Sequence, residues 1–90
     1  MGSVAQSLKD KLTAAFSPTQ LVIDDDSARH AGHAGARPGG ESHFNVTIRA
    51  AAFVGVSRVQ RQRLVYAAVA DELAGPVHAL SVKALAPGEA

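Results

Sequence analysis

Stretches patterned for helix and stretches patterned for strand follow one another along this chain. In SVAQSLKDKLTAAF, Val4, Leu8, Leu12 and Phe16 recur every four residues, which puts them on one face of a helix. Ser3 and Gln6 have capping-box spacing, and Pro18 ends the helix because its ring disfavours helical geometry at Ser17. QLVIDDD is a short β-branched run closed by Asp24, Asp25 and Asp26, the composition of a strand that runs out into solvent. HFNVTIRA alternates, with Phe44, Val46 and Ile48 on one face and His43, Asn45, Thr47 and Arg49 on the other, as a half-buried strand does.

Beyond AAFVGV, Ser57 and Gln60 repeat the capping-box spacing and predict one helix over about 57–73. Its apolar stripe comprises Val59, Val65, Tyr66, Val69, Ala70 and Leu73, with Arg58, Arg61, Arg63, Asp71 and Glu72 mostly outside the centre. Gly75 and Pro76 stop that helix, and VHALSVKAL predicts a third strand with Leu80, Val82 and Ala84 in phase. The tail APGEA carries no pattern.

This order suits an α+β two-layer sandwich, with both helices on one face of a three-stranded mixed sheet. A crossover through the second helix sets the third strand parallel to the second. The 90 residues are expected to form a single domain spanning 1–90. Between the first two strands the loop is about 16 residues long, a length usually associated with function or disorder. That loop contains SARHAGHAGARPGGES, and with the adjoining His43 it accounts for three of the four histidines.

Composition narrows the chemistry. Apolar residues make up 47% and charged residues 19%, with no Trp, as in an ordinary globular chain with an aliphatic core. The lack of cysteine removes disulfides, thiolate nucleophiles and any self-contained thiolate metal site. A net charge of +1 creates no strong field for nucleic acid or anionic lipid, so binding to either depends on where the charges sit. Lys9, Asp10 and Lys11 fall where a signal peptide needs an apolar core, and no apolar run has the length of a membrane span. A cytoplasmic location is therefore expected. The NVT at Asn45 to Thr47 fits a glycosylation acceptor only by coincidence inside a strand.

His30 and His33 stand three apart, but in an irregular loop that spacing fixes no ligand geometry, and a solvated connector carries the same pattern. His43 lies on the polar face of its strand, where it can serve as a hydrogen-bond donor. Strand phase puts His78 with Leu80 and Val82 as a satisfied core histidine, unless the strand starts one residue later and frees it. Asp24 to Asp26 could hold a hard cation, although a solvated strand end has the same composition. No nucleophile elbow or phosphate-binding glycine loop is present, and no carboxylate pair is forced into a pocket, so the chain reads as a non-enzyme.

Several of these segments, taken in order, resemble the signature of the BolA family. They are a Ser-His-Phe entry to a strand at Ser42 to Phe44, a Phe-x-Gly-x-Ser turn at Phe53 to Ser57, Arg61-x-Arg63 on a helix, and a closing Val77-His78-Ala79-Leu80. DDSARHAGHAG is similar to the variable loop of the family's histidine-bearing members, while Gln62 stands where many relatives have His. The resemblance runs from about Leu8 to Pro87. It implies a fold of class II KH type and two functions. One is partnership with a monothiol glutaredoxin, as a heterodimer, in iron–sulfur cluster handling or iron sensing; the other is DNA-binding transcriptional regulation.

On the first, the resemblance implies that a bridging [2Fe-2S] cluster takes thiolates from glutaredoxin and glutathione on one iron and imidazoles from this chain on the other, as histidines do in Rieske centres. The fixed ligand maps onto His78, and the loop ligand onto His30 with His33 as its rival. The free chain is expected to be monomeric and not membrane-bound. On the second, Arg49, Arg58, Arg61 and Arg63 form a basic group near the helix start at Ser57, where backbone N–H groups favour phosphate. The Gly-x-x-Gly loop with which KH domains grip a nucleic-acid backbone is absent from the equivalent turn.

Overall fold

The computed structural model describes residues 3–25 and 43–89. Helix α1 spans Ser3–Phe16 and strand β1 Gln20–Asp25, followed by β2 at His43–Arg49 and a 3-10 turn at Ala51–Phe53. Helix α2 spans Arg58–Ala68, α3 Ala70–Ala74, and strand β3 Ala79–Leu85. The sheet order is β1-β2-β3, with β1 antiparallel and β3 parallel to β2. This is the mixed three-stranded sheet expected from the order of elements, and its parallel pair is joined through α2 and α3.

The spacing of apolar residues explains how the layers meet. Leu8 and Leu12 of α1 are fully buried, and Ser17 at φ 46 turns the chain out of the helix just before Pro18. β2 alternates without exception: Phe44, Val46 and Ile48 face the helices, while the intervening side chains are half-buried on the other face. Phe53, Val65 and Val69 complete the same core cluster, so the helices cover one face of the sheet. Phe16 and Phe53 pack with ring centres 5.1 Å apart, within the range of a favourable tilted aromatic pair.

Three details differ from the pattern-based reading. The single helix over 57–73 divides at Val69, whose φ of −118° and ψ of 29° leave helical geometry. Its N–H is shared between the carbonyls of Val65 and Tyr66 at 3.3 Å each, a tightening of the last turn. The buried stripe runs through Arg61 and Val65 of α2 to Val69 just past its end, four apart, whereas Val59 is 61% exposed. A charged residue therefore takes the place that the pattern gave to valine. Finally, β3 starts at Ala79, so His78 precedes the strand and is exposed.

Ion pairs of Lys11 and Arg61 tie the elements together. Lys11 of α1 bonds Glu72 of α3 at 2.8 Å and reaches the exposed Asp71 at 3.5 Å, and the bond to Glu72 raises the lysine's pKa. Arg61 is buried and donates to the carbonyls of Val56 at 2.7 Å and Ala84 at 3.2 Å, as well as to the carboxylate of Glu89. Among the described residues no helix is long and apolar enough to cross a membrane.

Candidate functional site

His78 owes its position to the turn that precedes it. The backbone N–H groups of Gly75 and Val77 both donate to the carbonyl of Glu72, at 3.2 and 2.9 Å, which folds the Gly75-Pro76 corner back onto α3. Val77 is then buried in the core, at 2% exposure, and His78 comes out on the surface immediately before β3. On the other side of His78, the Tyr66 hydroxyl donates to the Leu80 carbonyl at 3.0 Å and holds the start of the strand against α2. The imidazole is thus accessible while its backbone is fixed on both sides.

The parallel register pairs His43 with Ala79, so the first residue of β2 lies beside the start of β3. The rings of His43 and His78 meet there with centres 5.3 Å apart and planes tilted by 56°. β1 ends at the same edge, with Asp24 opposite Asn45 and Asp25 opposite Phe44. Asp25 and His43, the described residues on either side of 26–42, both lie at this end of the sheet. His30, His33 and Asp26 lie outside the described residues, and among the described residues no group of three or more His, Cys, Asp or Glu side chains could hold a metal.

Sequence pattern brought out His78 but not its neighbour. His43 read as a polar-face residue with an ordinary hydrogen-bonding role, because its proximity to His78 depends on a register between strands more than thirty positions apart. The available signal was positional: both histidines stand at the start of strands predicted to be parallel neighbours.

The four candidate arginines, Arg49, Arg58, Arg61 and Arg63, separate into two groups. Arg49 donates to the Gln20 side chain at 3.2 Å and to the backbone carbonyls of Ala86 and Glu89 at 3.1 and 2.6 Å. Arg61 is buried against the same C-terminal tail. Arg58 and Arg63 are exposed. Arg58 borders a groove of about 280 Å³ between α2 and β3, shared with Val59, Gln62, Val82, Lys83 and Ala84. Gln62 extends across this groove to the Val82 carbonyl at 3.5 Å.

The architecture and its surface features define a small α+β domain that presents an imidazole pair at one end of a three-stranded mixed sheet. Residues 12–89 match the family model described as BolA-like protein, and the chain belongs to that family. It is 43% identical over 89 residues to BolA-like protein 1 of Homo sapiens, covering 99% of this chain and 62% of that protein. The chain thus spans about three fifths of the length of the first such relatives it matches. It is 38% identical over 79 residues to the DNA-binding transcriptional regulator BolA of Escherichia coli, covering 88% of this chain and 71% of the relative. The solved BolA domain of SufE1 from Arabidopsis thaliana superposes with a TM-score of 0.88 at 41% identity, covering 100% of this chain and 99% of the other. No enzyme family is indicated by these similarities.

Proposed function

We propose that this chain is a non-enzymatic partner of a monothiol glutaredoxin in iron–sulfur cluster handling or iron sensing, and that it offers imidazole ligands to a [2Fe-2S] cluster carried between the two proteins. The observation that carries this reading is the exposure of His78 on a backbone held rigidly by the Gly75-Pro76 corner and the Tyr66 bond. A histidine kept for packing would be buried; this one is displayed at the end of the sheet where β1 ends and β2 begins. Imidazole is a competent ligand for one iron of such a cluster, and with no cysteine in the chain the thiolates come from the glutaredoxin and glutathione. The free chain is monomeric in this reading, acts in the cytoplasm, and pairs one to one with its partner. The deciding experiment is affinity purification from the native host, followed by identification of bound proteins and analysis of iron and acid-labile sulfide. Recovery of a monothiol glutaredoxin is expected, and its reproducible absence would count against the reading.

A second reading, DNA-binding regulation through the KH-like α2 surface, is favoured by the name of the Escherichia coli relative and by exposed Arg58 at the helix start capped by Ser57, with exposed Arg63 further along the same helix. Arg49 and Arg61 are committed to carbonyl and carboxylate partners within the chain, which reduces the cations available for phosphate. Tight discrimination between DNA sequences at physiological salt would put this reading first.

A further inference from the structure

We propose that His43 and His78 together form a binding site for a single divalent transition-metal ion, occupied by the isolated chain without any partner. This inference does not rest on the glutaredoxin reading, although the two share His78. It starts from the ring separation of 5.3 Å. An imidazole nitrogen lies about 2.0 to 2.1 Å from a tetrahedral zinc ion, which puts each ring centre about 3.2 Å from the metal and two such centres about 5.2 Å apart. The observed separation of the centres matches that spacing.

Plain ring packing also occurs at such distances, about 4.5 to 7 Å between centres. The rings, however, stand where packing gains little. Packing contacts stabilise by removing apolar surface from water, yet His78 is exposed and His43 only half-buried. Both rings also spring from ordered backbone. His43 lies within the hydrogen-bonded β2–β3 ladder, opposite Ala79, and His78 is fixed between the Val77 anchor and the first residue of that ladder. The gap between the rings is consequently set by backbone already ordered for folding, which lowers the entropy lost when an ion binds. Asp24 and Asp25 end β1 at the same edge and favour a cation there.

Two neutral nitrogen donors, with water completing the shell, suit borderline ions such as Zn²⁺, Ni²⁺ or Cu²⁺ and discriminate against Mg²⁺ and Ca²⁺, which prefer oxygen. The test uses the isolated full chain titrated calorimetrically with Zn²⁺. One ion per chain is expected, with His43→Ala and His78→Ala each weakening binding at least about tenfold. Exposed Val54 serves as control, and Val54→Ala leaves affinity unchanged. In parallel, Ni²⁺ added below stoichiometry to the wild-type chain should broaden the imidazole proton signals of His43 and His78 together, a readout that does not depend on any variant folding. His43→Gln provides a second substitution that retains polarity at the strand start. Wild-type affinity in both His43 variants, or broadening of His78 without His43, would overturn the proposal, as would Zn²⁺ binding lost only on His30→Ala/His33→Ala.

Discussion

Arg61 and Glu89, 28 residues apart in sequence, meet in a bidentate pair, with Nη1 to Oε1 at 2.5 Å and Nη2 to Oε2 at 3.1 Å. The same guanidinium satisfies the carbonyls of Val56 and Ala84, and Glu89 Oε1 also accepts the backbone N–H of Ala86 at 2.8 Å. One side chain thus links the turn before α2, the end of β3 and the tail. Arg61→Ala strands two carbonyls and a carboxylate at once and should lower the thermal midpoint more than Glu89→Gln, which keeps a neutral acceptor in place. Arg61→Lys should rescue little, because an ammonium cannot reproduce the planar fork. Equal melting of all three variants with the wild type would show that the tail is not fastened by this pair.

The same contact predicts an acid limb in the stability profile. The bonds from Arg61, and after them the Ala86 N–H, hold the Glu89 carboxyl down at about 2 from an ordinary value of 4.5. Its native pKa lies below its unfolded one, so its contribution is fully present above the unfolded value and is lost as pH falls toward the native value. The difference in denaturation midpoint between wild type and Glu89→Gln should therefore be constant near neutrality and shrink between about pH 4.5 and pH 2. A difference that does not change over that interval would rule out the linkage.

Core substitutions separate the pattern from the structure. Phe53 is fully buried against Phe16, and Phe53→Ala should cost about 3 to 5 kcal/mol by chemical denaturation. Val59, which the helical stripe assigns to the core, is 61% exposed, and Val59→Ala should change stability by no more than about 0.5 kcal/mol. Ser57→Ala removes the acceptor for the Gln60 N–H at 3.2 Å and should cost about 1 kcal/mol.

These contrasts explain how much could be read from the sequence. Periodicity specified α1, the alternation of β2 and the parallel third strand, since each depends on local spacing and on rules for connections. The division at Val69 was hidden because an apolar residue suits the stripe whether or not the helix is continuous. Arg61 was hidden because its burial depends on carbonyls and a carboxylate supplied from outside its own helix. Glu89 sits in a five-residue tail with no period to detect, and Arg49, legible only as a cation, holds that same tail. At the sheet's end the sequence left open whether His78 was a core residue, and the start of β3 at Ala79 decided it. The proximity of His43 came from register alone.

For the DNA reading, the arginine positions change the choice of variant. Replacing Arg58, Arg61 and Arg63 together would confound loss of phosphate contacts with loss of the tail anchor. Arg58→Ala/Arg63→Ala removes two exposed cations and should leave the melting midpoint near wild type. If both cations contact phosphate, the slope of log affinity against log salt should fall by about 1.8 on duplex DNA. An unchanged slope would exclude both from the contact surface.

The cluster reading predicts dependence on a partner. With no thiolate of its own, the isolated chain reconstituted with iron and sulfide should hold no stable [2Fe-2S] cluster, whereas a mixture with a monothiol glutaredoxin and glutathione should. His78→Ala removes the backbone-fixed imidazole and should abolish the mixed cluster or alter its visible circular dichroism. His30→Ala should weaken or alter the cluster, and His33→Ala should do so less. Ligation requires neutral imidazole, so acidification should release iron from the wild-type complex before the chain unfolds. Folding should be independent of iron, because Leu8, Leu12, Phe44, Ile48, Phe53, Val65 and Val69 already form a closed core. Mononuclear binding at His43 and His78 is distinguished by stoichiometry, since it needs no sulfide and no partner. If His78→Ala and His30→Ala/His33→Ala both keep wild-type cluster spectra with the glutaredoxin, the histidines are not ligands. A complex between the two proteins would then have to form through protein contacts alone.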